Sequence, residues 1–205
     1  MAISYGLLAL CFLSSALAQS PQWGSCPDVK PMPDFRFRMI QGRWFEAERY
    51  QMPTEEPVRC VSYSFLHGGG RGIIQLNTSA ISGLTGNLRS GVGIKFRQPN
   101  PARPGKLEFQ LPTTHDWHDY LILGTDYHNY LVAYSCVPSG VLNMKYMWIL
   151  TRDQEPSETV MEEAREVVDN HKLNKKWLSG TDQKNCVAKP DNSPTANTEE
   201  IHILW

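Results

Sequence analysis

Residues 142–151 read Leu-Asn-Met-Lys-Tyr-Met-Trp-Ile-Leu-Thr, and apolar and polar side chains alternate in the first half of the segment. One parity is apolar or aromatic throughout and consists of Leu142, Met144, Tyr146, Trp148 and Leu150. The other parity contains the polar residues Asn143, Lys145 and Thr151. Because successive side chains of a strand point to opposite faces, this pattern predicts a β-strand whose first parity faces a protein interior.

The same alternation recurs upstream of this segment. Residues 106–111 alternate strictly between polar and apolar side chains. Glycine- and proline-rich stretches at 67–72 and 98–105 separate the apolar runs and are typical of hairpin loops. Residues 40–151 therefore predict a series of short strands, as in an all-β sandwich or barrel.

A single helix is predicted after the last of these strands. Pro156 stands near its start. An apolar stripe at helical spacing consists of Val160, Ala164, Val167 and Val168. Charged residues within 162–166 would cover the other face, so we expect the stripe to pack against the strands and the charges to face solvent.

The amino-terminal segment predicts a secretory signal peptide. Residues 1–13 are mostly apolar but too few to span a bilayer. Residues 16–18 read Ala-Leu-Ala, the small-residue pattern of a signal-peptidase site. We therefore expect residues 1–18 to be removed, leaving Gln19 as the mature amino terminus.

Composition and the remaining segments predict one domain. The chain of 205 residues has a formal net charge of −1 at pH 7, which does not favour nucleic acid as a partner. Residues 21–33 are rich in proline and predict an extended arm rather than a strand. Residues 190–205 are mostly polar and predict a disordered tail. The folded domain would span residues 19–189.

Four cysteines lie beyond the predicted signal peptide: Cys26, Cys60, Cys136 and Cys186. An even number of cysteines in an exported chain predicts two disulfides, and three pairings are open on spacing alone. Asn77-Thr78-Ser79 is an N-glycosylation sequon, so Asn77 is a candidate glycosylation site.

Three local patterns occur in the order and spacing of a known family. Residues 42–46, Gly-Arg-Trp-Phe-Glu, resemble the G-x-W motif on the first strand of lipocalins. Residues 125–127, Thr-Asp-Tyr, resemble the family's T-D-Y turn, and Arg152 resembles the arginine that follows its last barrel strand. With the stretches 129–136 and 147–152, the chain is similar to the lipocalin family, and within it to apolipoprotein D and its insect relatives.

The resemblance implies a fold and a set of structural residues. The fold is all-β: an eight-stranded antiparallel up-and-down barrel with one C-terminal α-helix packed outside. The implied disulfides are Cys26–Cys136 and Cys60–Cys186. Gly42, Trp44 and Arg152 are expected to close one end of the barrel, with the guanidinium stacked on the indole.

The resemblance also implies a secreted carrier of one small hydrophobic ligand, namely a fatty acid, retinoid, steroid or bilin. Cys136 must reach the external arm, so its side chain should point outward, and Ala133, on the opposite parity of the same strand, should point inward. In the same way Cys60 should point outward, and Tyr63, on the opposite parity to Cys60, should point inward. The ligand-contact candidates are Tyr63, Leu107, Phe109, Leu111, Tyr120, Ile122, Ala133, Met144, Tyr146 and Trp148. Their apolar character with a few hydroxyls suits a ligand pocket, and equally suits a barrel filled by its own core.

Enzymatic and metal-dependent functions are not predicted. The implied disulfides leave no free thiol as a nucleophile, and no histidine or carboxylate is placed to activate Ser135. His115 and His118 stand three residues apart, which on a strand puts them on opposite faces and prevents a shared metal ion. We expect neither a metal nor another cofactor.

The alternative from a different class of function is an extracellular interaction protein. In that interpretation, loops such as residues 52–57 bind a receptor, a lipoprotein or a membrane surface, and the cavity is incidental. For the carrier, Arg71, Arg97 or Arg103 is a candidate loop partner for the carboxylate of a bilin or a fatty acid. The expected assembly is a monomer or a weak homodimer.

Overall fold

The structure, a computed structural model, describes residues 22–51, 55–68, 73–113 and 115–187. The predicted signal peptide 1–18 and the predicted tail 190–205 lie outside these residues. None of the helices within the described residues is long and apolar enough to cross a membrane.

Ten strands and one α-helix follow one another along the described residues. The strands are β1 (Gln22–Trp23), β2 (Gly42–Tyr50), β3 (Val58–Gly68), β4 (Ile73–Ser82), β5 (Leu88–Arg97), β6 (Lys106–Gln110), β7 (His118–Thr125), β8 (Tyr130–Ser139), β9 (Leu142–Thr151) and β10 (Leu178–Gly180). Helix α1 is Glu158–Asn170, and two 3-10 helices span Phe37–Ile40 and Lys175–Trp177.

Strands β2 to β9 form a closed antiparallel barrel. Each strand pairs with its neighbour in sequence, and β9 returns to pair with β2, which confirms the predicted eight-stranded up-and-down barrel. The 3-10 helix Phe37–Ile40 precedes β2, and Ile40 is fully buried there. We call the end of the barrel at Gly42 the closed end, and the other, where β2 finishes at Tyr50, the open end.

The barrel wall between β2 and β3 changes character with height. Near the closed end the two strands pair directly, from Gly42↔Phe65 to Phe45↔Ser62. Above that level β2 pairs instead with β10, and a bulge shifts its register between Glu46 and Glu48. Residues 178–183, which we call the C-terminal strap, thus complete the wall towards the open end.

Side-chain and backbone hydrogen bonds hold the C-terminal strap in this gap. The amide of Thr181 donates to the carbonyl of Ala47 at 2.9 Å, and the amide of Cys60 donates to the carbonyl of Asp182 at 2.8 Å. The Gln183 amide group donates to the carbonyls of Glu46 at 2.9 Å and Val61 at 2.8 Å. The buried backbone groups that the separation of β2 and β3 would leave unpaired are therefore satisfied.

Helix α1 packs on the outer surface of the barrel. Ser157 caps its start, because its hydroxyl accepts from the amide of Val160. The buried helix residues are Met161, Ala164 and Val168, which pack with Val132, Tyr134, Met147 and Ile149 of β8 and β9. The predicted stripe placed Ala164 and Val168 correctly but omitted Met161, which is buried where the stripe had Val160, a half-buried residue.

Both disulfides join strand residues to the terminal segments. Cys26 is bonded to Cys136 of β8, and Cys60 of β3 to Cys186, which is the pairing implied by the family resemblance. Cys136 packs with the outer cluster beneath the helix, while Ala133 belongs to the interior cluster. The inward and outward parities expected from the disulfides are therefore those of the structure.

Two loop predictions need correction. The arm was predicted to contain no strand, but β1 pairs with the upper part of β9, at Gln22↔Asn143. The reason is that β2 pairs with β9 only as far as Arg49↔Trp148, so the edge of β9 above that level is open to another strand. The loop predicted at 67–72 starts later, since β3 continues to Gly68.

Candidate ligand-binding site

The closed end of the barrel is built around Trp44 and Arg152. Trp44 is fully buried and its indole N–H donates to the carbonyl of Ile40 at 2.7 Å. The Arg152 guanidinium carbon lies 3.7 Å from the centre of the Trp44 ring. The guanidinium also donates to the carbonyls of Arg43 at 3.0 Å and Tyr127 at 3.3 Å. These contacts join the start of β2 to the ends of β7 and β9 and make a floor for the interior.

Gly42 is part of the same closure for a steric reason. Its φ is +99°, and a Cβ added to it would lie 3.1 Å from the Nη1 atom of Arg152. A side chain at this position would therefore meet both backbone strain and the guanidinium that covers Trp44.

The predicted ligand-contact residues all pack in the interior cluster of the barrel. Eight of them are buried: Tyr63, Leu107, Phe109, Tyr120, Ile122, Ala133, Tyr146 and Trp148. Leu111 and Met144 are partly buried against the same cluster. The predicted orientations follow from period-two alternation, which an unbroken barrel strand preserves.

Three aromatic side chains form a wall above the floor, which we call the aromatic wall: Tyr120, Trp148 and Tyr146. The Trp148 ring lies 5.4 Å from the ring of Tyr120 and 6.0 Å from that of Tyr146, and the latter pair is nearly parallel at 6°. Ala133, on the strand between β7 and β9, is paired with Trp148. Its small side chain leaves the space in which the rings from β7 and β9 meet.

The register of β9 gives the height of the aromatic wall. Leu150 lies opposite Glu46, and Trp148 lies opposite Arg49, nearer the open end. Tyr146 follows two residues higher, opposite Ser135 of β8. Trp148 therefore stands about 13 Å along the strand from Arg152, at 3.3 Å per residue, and belongs to the middle of the barrel rather than to its floor.

A buried carboxylate lies between the floor and the aromatic wall. Glu46 is fully buried, and its Oε2 accepts a hydrogen bond from the Tyr63 hydroxyl at 2.6 Å. Its Oε1 accepts from the Thr181 hydroxyl at 2.7 Å and lies 3.4 Å from Nε of Arg49. Three donors thus converge on this group, as an ionised carboxylate inside a protein requires. Burial raises the pKa of Tyr63 well above its ordinary value, and the Glu46 charge adds to the effect.

Arg49 connects Glu46 to a second carboxylate. Its side chain is only 6% exposed, and its Nη2 lies 2.9 Å from the Glu55 carboxylate. Burial is the main cause of the raised pKa of Tyr146, and the negative charge of Glu55 raises it further. The Glu55 carboxylate therefore acts on the upper part of the aromatic wall. Together Glu46, Arg49 and Glu55 form what we call the interior charge cluster.

Period-two alternation alone could not have located this cluster. Glu46 shares the parity of Trp44, which is a usable signal. Arg49, however, has the opposite parity and turns inward only because the bulge at Ala47 inserts one extra residue. The part played by the strap was also missed, because a three-residue strand far along the chain leaves no periodic pattern.

The histidine and serine side chains behave as ordinary structural groups. His118 faces Phe109, with ring centres 5.4 Å apart, whereas His115 is exposed. In the described part of the chain, no three His, Cys, Asp or Glu side chains are grouped as metal ligands. Ser135 faces inward, and its hydroxyl donates to the carbonyl of Asp119 at 2.7 Å.

The prediction that Arg97 or Arg103 meets a ligand carboxylate is wrong. Arg97 lies on the outer face of β5 and pairs with Glu108 at 2.6 Å. Arg103 lies in the β5–β6 connection, at the closed end, because successive connections of an up-and-down barrel alternate between its ends. Arg71 lies outside the described residues.

Comparison with known proteins agrees with this architecture. Residues 41–185 match the model of the lipocalin / cytosolic fatty-acid binding protein family. The chain belongs to the lipocalin family. Apolipoprotein D of Macaca fascicularis is 32% identical to this lipocalin over 88% of the chain and 98% of its own length. Lazarillo protein of Schistocerca americana is 28% identical over 85% of the chain and 82% of its length.

Solved structures share the fold of this lipocalin. Insecticyanin from the tobacco hornworm Manduca sexta superimposes with a TM-score of 0.70 at 20% identity, covering 85% of this chain and 94% of the other. The lipocalin homologues of this chain are binding or transport proteins rather than enzymes.

Proposed function

We propose that this lipocalin is a secreted carrier that holds one small hydrophobic ligand inside the barrel. The observation that carries the proposal is the aromatic wall, which lies in mid-barrel above a floor closed by Trp44 and Arg152. A largely apolar lining with a few hydroxyl groups is the chemistry of small-molecule sites. The ligand classes proposed are fatty acids, retinoids, steroids and bilins.

The proposed ligand contacts are the ten interior residues named above. The role of each residue depends on its position along the barrel axis. Trp148, Tyr146 and Tyr120 present ring faces and edges to an apolar ligand, and Met144 and Leu111 flank them towards the open end. Tyr63 is paired with Trp44 of the floor, and its hydroxyl already donates to Glu46. It therefore supports the lower boundary of the site through packing rather than through a free hydroxyl.

Secretion is proposed from the disulfides together with the signal-like segment 1–18. Disulfides persist in oxidising compartments, and both bonds of this lipocalin close long loops. Expression of the full chain in secreting eukaryotic cells should yield protein in the medium with Gln19 at its amino terminus. Retention of the whole chain inside the cells would contradict the proposal.

N-glycosylation of Asn77 is proposed as well. Asn77 lies in β4 between the buried residues Leu76 and Thr78, on the outward parity of the strand. Treatment of the secreted protein with an N-glycosidase should lower its apparent mass. Asn77→Gln should remove that shift, and an unchanged mass in the parent protein would exclude the modification.

Native mass spectrometry of the secreted protein tests the carrier function directly. We expect one small molecule bound per chain, or, if the barrel is purified empty, saturable one-to-one binding of at least one of retinol, arachidonic acid, progesterone and biliverdin. An empty protein that binds none of these four would contradict the proposal.

A second candidate function, attachment to an apolar surface, is favoured by the open end. Large apolar side chains are exposed there: Trp23 at 81%, Leu84 at 74%, Leu88 at 60% and Val141 at 67%. Exposed apolar groups near one end of a secreted barrel suit docking to a lipoprotein or membrane surface. Co-flotation with phosphatidylcholine vesicles should be lost in a Trp23→Ser/Val141→Ser variant; absence of flotation in the parent would contradict this function.

A further inference from the structure

The upper part of β5 has a sheet partner on one side only. On that side it pairs with β4, starting from Ile81↔Leu88 at the open end. On the other side β5 pairs with β6 only at Lys95, Phe96 and Arg97. Because β6 ends at Gln110, no strand of the described residues pairs with the second edge of β5 over residues 88–94. Such an edge presents N–H and C=O groups that can bind another strand.

Residues 88–92 of this edge border the open end, and we call them the β5 rim. A Cβ added to Gly93 would lie 3.7 Å from Cγ of Pro112, so the β6–β7 connection approaches the strand just below the rim. The rim begins with Leu88, whose side chain is 60% exposed, and the turn before it carries Leu84 at 74%. Open backbone and exposed apolar surface therefore adjoin each other here.

The β5 rim lacks the features that usually protect a strand edge. Natural edges carry free charges, prolines or a covering segment. Arg89 is the only charged residue of the rim, and it is paired with Glu56 at 2.7 Å. The rim also contains no proline. It therefore presents no free charge to an approaching strand.

The described chain ends near this rim. Arg59 of β3 donates through Nη1 to the carbonyl of Asn185 at 2.8 Å and through Nη2 to that of Val187 at 3.4 Å. Arg59 lies opposite Ile81 of β4, and Ile81 lies opposite Leu88 of β5. The chain thus leaves the barrel wall on β3, and two strand spacings, about 10 Å, separate β3 from β5.

The sequence beyond Val187 contains a segment that suits an added strand. Residues 201–205 read Ile-His-Ile-Leu-Trp and contain no proline, glycine or acidic residue. β-Branched and aromatic residues of this kind are typical of strands. The thirteen residues 188–200 between Val187 and this segment span up to about 43–47 Å when extended. The segment can therefore reach the β5 rim, and it equals the rim in length.

We propose that residues 201–205 bind the β5 rim of the same chain as an added β-strand. Main-chain hydrogen bonds to residues 88–92 supply the pairing, and apolar side chains of the segment cover Leu88. Residues 188–200 act as the linker. The inference does not rest on the carrier function. It also leaves Trp23 and Val141, four strands away around the barrel, to the surface attachment considered above.

Hydrogen exchange of the full-length secreted protein tests the pairing. Ile203→Pro removes a main-chain donor from the segment but keeps an apolar side chain. Amides in residues 88–92 should then exchange at least about fivefold faster than in the parent, because a paired edge becomes open. Residues 95–97, which pair with β6, should change less than about twofold. Ala196→Pro is the matched control, since it makes a proline substitution in the linker and should exchange like the parent.

Leu88→Ser tests the same contact from the rim. With 5-fluorotryptophan incorporated, the fluorine resonance of Trp205 can be assigned through Trp205→Phe. In Leu88→Ser this resonance should move towards its position in Ile203→Pro, because the indole leaves the barrel surface. Val141→Ser is the control, since it removes a similarly exposed apolar side chain across the mouth, at 67% against 60%, and should leave the resonance unchanged.

Three results would overturn the proposal. Equal exchange of residues 88–92 in the parent and in Ile203→Pro would show that the segment does not pair with the rim. An equal effect of Ala196→Pro would show that the change does not depend on residues 201–205. Protection that is lost on dilution, together with a change from dimer to monomer in analytical ultracentrifugation, would assign the rim to a second copy of the chain.

Discussion

The closed end and the upper wall of this barrel are stabilised in different ways. At the closed end β2 and β3 pair directly, and Arg152 joins the floor through its contact with Trp44 and its hydrogen bonds to backbone carbonyls. Higher up, β2 and β3 separate, and the C-terminal strap occupies the gap. A disulfide just beyond the strap ties it covalently to β3, because Cys186 is bonded to Cys60.

The contrast explains where charge can be tolerated in the interior. A floor made of close-packed rings and a stacked guanidinium leaves little room for a ligand. The separated strands above it admit Thr181 and Gln183 from outside, and these side chains help satisfy Glu46 and the open backbone. The interior charge cluster and the aromatic wall thus lie at the level where β2 and β3 separate and the strap completes the barrel wall.

Removal of the strap disulfide should have the largest effect on this contrast. Cys60→Ser/Cys186→Ser opens a loop of 126 residues and should lower the free energy of unfolding by about 4–5 kcal/mol on the chain-entropy model. Amide hydrogen exchange should increase in residues 46–50 and 178–183 and much less in residues 42–45. Equal loss of protection at both heights would show that the two regions unfold together and would remove the distinction.

Arg152→Ala tests the closed end alone. The variant loses the stacking on Trp44 and several hydrogen bonds to carbonyls, and we expect a destabilisation of about 2–4 kcal/mol. Thermal unfolding measures this loss, and the folded protein should keep its ligand affinity. A large loss of affinity at unchanged stability would mean that the floor belongs to the binding site.

Trp148→Phe tests the aromatic wall. It should leave the protein folded, abolish most of the ligand-induced fluorescence quenching, and weaken retinol binding about ten- to a hundredfold, because a buried aromatic contact becomes smaller. Trp177→Phe is the control, since Trp177 packs against Tyr50 among the residues outside the barrel. Undiminished quenching in Trp148→Phe would identify Trp148 as core filling.

Substitution of one glycine at each end of the barrel compares the two ends with a smaller change than Arg152→Ala. Gly42→Ala should cost about 2 kcal/mol, because it combines backbone strain at positive φ with crowding of Arg152. Gly140→Ala, in the turn before β9 with φ +63° and open space around it, should cost about 1 kcal/mol from the strain alone. Equal losses in chemical denaturation would show that the Arg152 contact adds nothing at Gly42.

The sequence by itself determined the features that repeat locally or follow a motif. Alternation in 106–111 and 142–151 was sufficient to orient Leu107, Phe109, Tyr146 and Trp148, because side-chain direction in a regular strand depends only on parity. The family motifs led to Trp44, Arg152 and the disulfide pairs, which agree with the structure.

Tertiary structure decided the features that depend on irregular backbone or distant segments. The bulge in β2 reverses the parity after Ala47 and turns Arg49 inward beside Glu46, which no periodic pattern could show. The strap reaches the β2–β3 gap from more than 100 residues along the chain, so the partners of Glu46 exist only after the barrel has closed. Parity is a property of neighbouring residues, whereas the stabilisation of a buried charge depends on every group the fold brings around it.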